Sequence, residues 1–517
     1  MLPFPRPSLA RRVLLGAGLL GVLADPIFRN GYWGIGLLAW MAVLGILVVV
    51  LVRHAGRPLS GESGAWLAVA LLFAASLSWR NSGLLLGFNF LALLAALVLL
   101  AMSLNGMPVR GLSLARIRDL LRAGFGTGLG VATGAVPLLL RDAELQPPPG
   151  ATAGLKPLAR ALVIALPVVL VFTLLLAQAD PVFGSIFSFI DLDLELLLSH
   201  VLVAGFFAWV VAGWLRRALL QQLSAGSTRA DPLPFALGYT DVTLALGALN
   251  LVFAVFVVVQ LGWLFGGEAL VQRTTGLGYA EYARRGFFEL MWVAGLLLPV
   301  LLGAWALIPE SDTRTRRMHR RLAFSLVLLL GAIMVSAFAR MKLYVHYYGI
   351  SADRLYATAV MSWLAIVFVW LALTVLRARP RTFAAGLVVS GFAVLLGLNL
   401  LNPDALVARA NLARGDAAGT DVAGADPKYL ATLGGDAVPA LVAALIGPNT
   451  AAMDPAGRCA SAQLLLDRWT GENRAQMTRS WAQWNAGRFA ALQAVGEREE
   501  QLRRIACPDA TPKTTTA

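Results

Sequence analysis

Two polar clusters set in apolar sequence decide how this chain is read. They are Tyr279-Ala-Glu-Tyr-Ala-Arg-Arg-Gly-Phe-Phe-Glu289, and Arg340-Met-Lys-Leu-Tyr-Val-His-Tyr-Tyr-Gly349 with its continuation to Asp353-Arg354. The first leads into an uncharged run that ends near Ile308, and the second follows another that begins at Leu322. Runs of about 20 apolar residues are what a helix needs to cross a bilayer. The stretch Tyr279–Trp363 therefore reads as membrane helices with polar ends gathered on one face.

The rest of the chain repeats that pattern. Of its 517 residues, 58% are hydrophobic and 14% charged, with a mean hydropathy of +0.71. A soluble domain has about 45–50% apolar and about 25% charged residues. A water-soluble core has no room for that excess, so the solvent is a bilayer. The net charge of +14 is spread over short loops between apolar spans, which argues against a nucleic-acid partner and for orientation in a membrane. The predicted fold is all-α: a polytopic membrane protein with about 11 transmembrane helices and a small helical C-terminal periplasmic domain. Spans are placed at about 12–28, 33–52, 63–79, 83–104, 157–179, 196–215, 240–265, 286–308, 322–341, 355–376 and 383–401.

Arginine sets the direction. Alternate loops carry Arg53/Arg57, then Arg110 to Lys156, Arg216/Arg217/Arg229, Arg314–Arg321 and Arg377/Arg379/Arg381. The other set holds Arg29, Arg80, Arg273/Arg284/Arg285 and Lys342/Arg354, with nothing basic in 180–195. The richer set is cytoplasmic by the positive-inside rule. The N-terminus is then inside, the C-terminus is periplasmic, and the bacterial inner membrane is the expected location. Residues 1–402 form the transmembrane part, within which about 112–140 is an amphipathic cytoplasmic-side segment on or partly in the inner leaflet. A linker is expected at 403–425, a periplasmic helical domain at 426–510 and a disordered end at 511–517.

Three outgoing helices end alike, at Asp25-Pro26-Ile27-Phe28, Asp180-Pro181-Val182-Phe183 and Asn402-Pro403-Asp404. The residue before proline is pushed out of the helical region, so each predicts a helix stop. Proline is then suited to the first position of a short new helix.

Several stretches together carry a resemblance. They are Ala161-Leu-Val-Ile-Ala-Leu-Pro-Val-Val-Leu through Asp180-Pro-Val-Phe183, Tyr282-Ala-Arg-Arg-Gly-Phe-Phe-Glu-Leu290, Leu343-Tyr through Gly349, Arg354-Leu-Tyr356, Leu401-Asn-Pro-Asp-Ala-Leu406, and Asp426-Pro-Lys-Tyr-Leu through Gly435-Asp-Ala-Val-Pro-Ala-Leu441. The chain resembles bacterial polytopic membrane proteins of domain-of-unknown-function family 4173, related to family 4153. The resemblance covers the first helix to about Leu445. It implies an inner-membrane location, and it assigns no activity and no catalytic residues.

The candidate polar outer-face cluster is Glu281, Arg284, Arg285, Glu289, Arg340, Lys342, His346, Asp353, Arg354 and Asp180. Glu281, Arg285 and Glu289 are spaced by four, which puts them on one helix face. Two readings fit. Glu289 paired with Arg285 or Arg340 would help line an outward polar cavity. Alternatively, tyrosines at headgroup depth and snorkelling Arg and Lys form an interfacial belt. At mid-span the stronger polar groups are Asn89, Asn250, Gln260 and Asn399, a type that more often bonds helix to helix than binds substrate. Four histidines and two cysteines form no zinc spacing, so no metal and no cofactor is expected. The acidic run Asp191, Asp193, Glu195 reads as a solvated loop.

Both cysteines, Cys459 and Cys507, fall in the tail that the loops place outside, and there a disulfide is expected. Trp469, Trp481 and Trp484 are expected in the core of the tail, with membrane docking as the alternative. Three classes of function remain open. One is a non-enzymatic protein with an envelope sensing, scaffolding or accessory role, with the lipid bilayer and an envelope protein as partners. Another is a transporter or lipid-handling channel. The third is a membrane enzyme acting on a lipid-linked or phosphorylated substrate at the periplasmic surface.

Overall fold

A computed structural model describes residues 7–29, 31, 33–107, 117–143, 169, 194–221, 236–275, 287–309, 311–377, 382–415, 426–447 and 453–507. Everything regular among the described residues is helical. In chain order the long helices are α1 (Pro7–Phe28), α2 (Ile35–His54), α3 (Gly61–Trp79), α4 (Gly83–Leu104) and α5 (Ile117–Thr133). A short α6 (Ala135–Pro137) then runs into a π-helical turn, Leu138–Asp142. Beyond it come α7 (Leu194–Leu215), α8 (Tyr239–Thr275), α9 (Phe287–Leu307), α10 (Thr313–Tyr348), α11 (Ala352–Thr374) and α12 (Phe383–Leu401). Among the described residues nine helices are long and apolar enough to cross a membrane. The protein is a multi-pass α-helical membrane protein. The expected span at 157–179 lies outside the described residues, and α1, which carries Arg11, Arg12 and Asp25, is not one of the nine.

The chain forms two compact units. The first comprises Met1–Leu71, Ala96–Gly106 and Arg122–Leu223. Its main contact is α1 against α7, where small residues let the backbones close: a Cβ on Gly21 would stand 2.4 Å from the Ala204 carbonyl oxygen. The two helices are antiparallel. Asp25 pairs with His200 at one end, while at the other Arg11 donates to the Ala143 carbonyl (3.1 Å) beside the Asp142–Arg216 pair (2.5 Å).

The segment read as leaflet-associated falls among the described residues from Ile117 onward. Gly126, Gly130 and Gly134 face α7, where a Cβ on Gly213 would meet the Val131 carbonyl oxygen at 2.4 Å. From Gly126 near Arg217, α5 runs to Ala132, whose carbonyl accepts from Trp209 Nε1 (2.8 Å). Helical bonding continues through Gly134, whose N–H bonds the Gly130 carbonyl (2.8 Å) and whose carbonyl accepts from Leu138 N (3.2 Å), to Asp142, which pairs with Arg216. Residues 126–142 thus pack on the Trp209–Arg217 end of the α7 segment, with small residues at the closest approach.

The second unit comprises Leu72–Ala95, Met107–Leu121 and Ser224–Ala517. Leu326, Leu330, Ile333, Met361, Val367 and Leu371 centre a core shared by α8 to α11. The helix α10 has 36 residues, roughly 54 Å at 1.5 Å per residue, so it outruns the expected 322–341 at both ends. Asp312 is its N-cap, accepting from Thr315 N (2.9 Å), so Arg314–Arg321 belong to its first turns rather than to a loop. The Thr315 hydroxyl also bonds Asp312, and these bonds hold that carboxyl below the usual range.

Two expectations at prolines are corrected. The helix α1 runs through Pro26 to Phe28 instead of stopping at Asp25. There Asp25 bonds Arg29 (3.2 Å), one turn on, which steadies the last turn that proline deprives of a donor. The expected linker at 403–425 is in its first half a helix, α13 (Pro403–Gly415), while 416–425 lie outside the described residues. Pro403 opens that helix after Asn402, which takes a left-handed φ of 54° and ends α12. Asp180-Pro181 lies outside the described residues, and Pro299 sits within α9 as read.

The tail helices are α14 (Pro427–Thr432), α15 (Val438–Ile446), α16 (Pro455–Trp469), α17 (Gly471–Met477), α18 (Ala486–Gly496) and α19 (Glu499–Ile505). They close on Leu430, Leu441, Leu445, Leu465, Trp469, Val495 and Leu502. Val407 and Ala408 of α13 are part of that core, and Ile350, Ala352 and Leu355 at the start of α11 pack against it. The tail is therefore bound to the span ends by apolar contact from its first helix onward.

Candidate functional site

The strongest concentration of buried polar groups lies where the α3–α4 turn, Arg80-Asn81-Ser82, meets the C-terminal helices. Each member is placed by local structure. Ser82 immediately precedes α4, Asp404 is the second residue of α13, and Asp436 sits in a short 3-10 turn, Gly435–Ala437, before α15. Asp404 is 3% exposed. It accepts from the Ser82 hydroxyl (2.9 Å) and from Gly434 N (2.7 Å). Asp436 accepts from Asn81 N (2.9 Å), and the Asn81 side chain accepts from Gly435 N (3.0 Å). Asn485, the N-cap of α18, donates to the carbonyls of Leu77 and Arg80, both at 3.0 Å. Tyr356 of α11 reaches Ser82 (3.1 Å).

Glycine makes this closeness feasible. A Cβ on Gly434 would lie 1.9 Å from the Asn81 carbonyl oxygen, and one on Gly487 would lie 2.0 Å from Asp436 Oδ1. Four polar segments thus close around one turn with no space for a side chain.

The electrostatics follow from burial. Withdrawal from water pushes the Asp436 carboxyl up to about 6, against the bond from Asn81 N and the Arg80 charge, which favour its ionised form. The nearby Asp404 charge adds to the rise. Asp404 is also raised by burial, opposed by its bonds from Gly434 and Ser82 and by Arg468. Arg80 and Arg468 are both lowered by burial. Two carboxylates and two guanidinium groups thus share one poorly hydrated region, where burial is the first cause of every shift.

Around this clasp the amides expected at mid-span bond helix to helix, although Asn399 lies in the last turn of α12 rather than at mid-span. Asn89 and Asn399, both fully buried, each donate to the other, at 2.8 and 2.7 Å, and Arg80 Nε donates to the Asn399 carbonyl (2.6 Å). Asn250 donates to the Leu322 carbonyl (3.1 Å), while Gln260 accepts from Ser336 (2.9 Å) and from Arg340.

The sequence-predicted cluster is spread out by comparison. Glu281, Arg284, Arg285 and Asp180 lie outside the described residues. Glu289 is exposed in the first turn of α9, and Arg340 is on Gln260. Lys342, His346 and Asp353 are exposed. The His346 ring stands against Tyr347 at 5.4 Å. Arg354 bonds the carbonyls of Tyr348 (3.2 Å) and Gly349 (2.5 Å) and stacks on Tyr344 at 3.9 Å. Arg414 donates to Val345 O (2.9 Å) and also to His346 O. Both arginines neutralise the carbonyl end of α10, where a cation is favoured. Asn411 bonds both the N–H (3.0 Å) and the carbonyl (2.6 Å) of Ile350.

The clasp residues were in plain view in the sequence but not as a set. Asp404 reads as part of a helix stop, Asp436 as one aspartate among several, and Arg80 as a sparse loop charge. The one sequence signal is Gly434-Gly435-Asp436, a carboxylate on a pair of glycines, which permits close backbone approach. In the tail, Trp469 is core at 2% exposed, whereas Trp481 and Trp484 are 67% and 44% exposed, which corrects their expected burial. The Cα atoms of Cys459 and Cys507 stand 5.2 Å apart, a separation that a disulfide spans. Among the described residues no group of three or more His, Cys, Asp or Glu is arranged to hold a metal ion.

Comparison with known proteins gives one relation. No curated protein and no solved structure matches the chain. The pattern of a family described as a domain of unknown function, DUF4153, matches residues 67–444, a stretch that holds every clasp residue except Arg468, Asn485 and Gly487. By that match over most of its length, the chain belongs to the DUF4153 family of domains of unknown function.

Proposed function

We propose that this protein is a non-enzymatic component of the bacterial inner membrane, with a scaffolding, sensing or accessory role in the envelope. Its N-terminus is cytoplasmic and its C-terminal helices periplasmic, presented to a protein partner. The clasp carries this reading. Asp404, Asp436, Asn81, Ser82 and Asn485 are committed to one another and to backbone, and so hold the C-terminal helices on the ends of the spans. Such a network builds a fixed surface rather than a reaction centre. The arginine loops support the direction, and the quoted motifs keep a relation to family 4173 as part of the proposal.

The alternative of a transporter or lipid-handling channel has one observation in its favour, the Ser336–Gln260–Arg340 contacts within the spanning helices α8 and α10. The two readings separate in a deletion strain scored for detergent and antibiotic sensitivity. Complementation is compared for Asp436→Ala/Asn485→Ala and for Gln260→Ala/Arg340→Ala, each checked for normal insertion. Failure of the clasp pair with rescue by the in-span pair supports the scaffold. The reverse outcome overturns it in favour of transport. A C-terminal reporter active only in the cytoplasm stays dark if the orientation is right.

A further inference from the structure

The segment 480–489 inverts the usual distribution of side chains. Gln483, Asn485 and Arg488 are 1%, 2% and 7% exposed, whereas Trp481, Trp484 and Phe489 are 67%, 44% and 53% exposed. The buried polar side chains fix the backbone. Ser480 and Gln483 form a reciprocal capping box. Arg488 donates to the Gln483 carbonyl (2.8 Å), and its N–H bonds Asn485 Oδ1 (2.9 Å). Three large aromatic groups are therefore held out on a rigid platform, although scattered single apolar residues, not clusters, are what a water-facing surface tolerates.

The platform has a defined depth. Asn485 is bonded to the carbonyls of Leu77 and Arg80, and so sits at the last turn of the spanning helix α3. Trp79, the last residue of α3, is itself 44% exposed, with the Arg80 guanidinium 3.9 Å from its ring. A span ends where hydrocarbon gives way to headgroups, and that layer is where Trp is enriched, with an apolar ring on one side and water on the other. Exposed Arg479, one residue before the platform, adds a charge complementary to anionic lipid.

We infer that Trp481, Trp484 and Phe489, beside Trp79, form a membrane-docking surface that seats the C-terminal helices in the headgroup layer of the bilayer crossed by α3. The surface extends the lipid-facing side of that span onto the tail. The docked aromatics and the clasp then hold the same helices, one through lipid and one through protein.

The test uses the full chain in nanodiscs of mixed zwitterionic and anionic lipid. A polarity-sensitive fluorescent amino acid is placed by codon suppression at 481, 484 or 489, or at exposed Glu500 of α19 as control. Quenching is measured from nitroxide carried high on the lipid chains and from aqueous iodide. The expected result is lipid quenching at 481, 484 and 489 at least about threefold above that at 500, with iodide quenching in the opposite order. Iodide quenching at the three positions equal to that at 500 overturns the proposal, since the platform is then in water. Protection from both quenchers also overturns it, since a protein surface then covers the aromatics. Three reporter positions keep the test open if one variant fails to fold.

Discussion

The polar stretch around Arg340–Arg354 and the clasp around Arg80–Ser82 hold similar side chains and do different work. In the first, most charges are exposed, and the arginines that do bond, Arg354 and Arg414, satisfy the end of α10. In the second, carboxylates are buried among backbone donors, and their pKa values rise. The contrast teaches that density of charge along a membrane chain marks where helices meet headgroups, whereas a polar network that fixes the fold is marked by burial. Each of the following perturbations strikes one side of that contrast.

The largest effect is expected from Gly434→Val. Its Cβ would fall on the Asn81 backbone, which cannot move aside as a flexible side chain can. The clasp should open, at a cost of about 4 kcal/mol or more, the sum of the overpacking and the lost bonds to Asp404. Limited proteolysis in nanodiscs reads the result as rapid cleavage of the tail. A tail as resistant as that of the parent protein would mean that the clasp is not what holds it.

Next in size is the covalent link proposed between Cys459 and Cys507, 48 residues apart. Closing such a loop stabilises by about 4 kcal/mol in the chain-entropy model, an upper figure. Cys459→Ser should therefore lower the unfolding temperature of the tail while leaving the clasp assembled. The parent protein should migrate faster without reductant than with it. Two thiols open to alkylation after denaturation without reductant would refute the bridge and weaken the placement of the tail in an oxidising compartment.

The Asn89–Asn399 pair tests the same distinction inside the spans. Asn399→Leu leaves the Asn89 amide without its partner between helices and should cost about 1–2 kcal/mol. Asn89→Leu/Asn399→Leu should recover part of that, because no orphaned amide remains. A double variant less stable than either single one would show that the pair does more than join α4 to α12.

Protonation probes the clasp more gently. Asp436 binds its proton more tightly in the folded chain, near 6, than an ordinary carboxyl does. Stability of the tail attachment should therefore rise as pH falls through about 6 and level off once the unfolded carboxyl is also protonated. After allowance for partial exposure the effect is on the order of 1 kcal/mol. Hydrogen exchange of α15 and α18 at pH 5 and 7.5 measures it. Asp436→Asn, which imitates the neutral form, should remove most of the dependence, and its persistence would shift the role to Asp404.

Much of this architecture could be read from the residues. The nine described helices able to cross a membrane, α2 to α4 and α7 to α12, each overlap an expected span, because about 20 uncharged residues in succession leave few alternatives. The use of Asn89 and Asn399 between helices followed from their place within apolar runs. The clasp was not legible for a physical reason. It joins residues 81 and 436, 82 and 404, and 77 and 485, and no local pattern encodes pairings so distant. Nor did spacing reveal that Trp481 and Trp484 face outward while Trp469 is core. That difference arises because Asn485 and Gln483 take the inward positions.

The smallest predicted effect completes the contrast, and it concerns one arginine of the expected outer-face cluster. Arg354 bonds two carbonyls at the end of α10 and stacks on Tyr344, yet it is only half-buried, and Arg414 covers the neighbouring carbonyls of Val345 and His346. A cation near a helix C-terminus contributes about 0.3–1 kcal/mol at an exposed site. Arg354→Ala should therefore cost less than about 1 kcal/mol, and Arg354→Lys less again, since it keeps the charge and loses only the fork and the stacking. Arg354→Ala/Arg414→Ala should cost more than the sum of the single changes, because each arginine covers for the other at the same helix end. Thermal unfolding in nanodiscs supplies the numbers. If Arg354→Ala left stability unchanged but reproduced the deletion phenotype, this end of α10 would have to be read as a binding surface, and its exposed Lys342 and His346 would become the next residues to change.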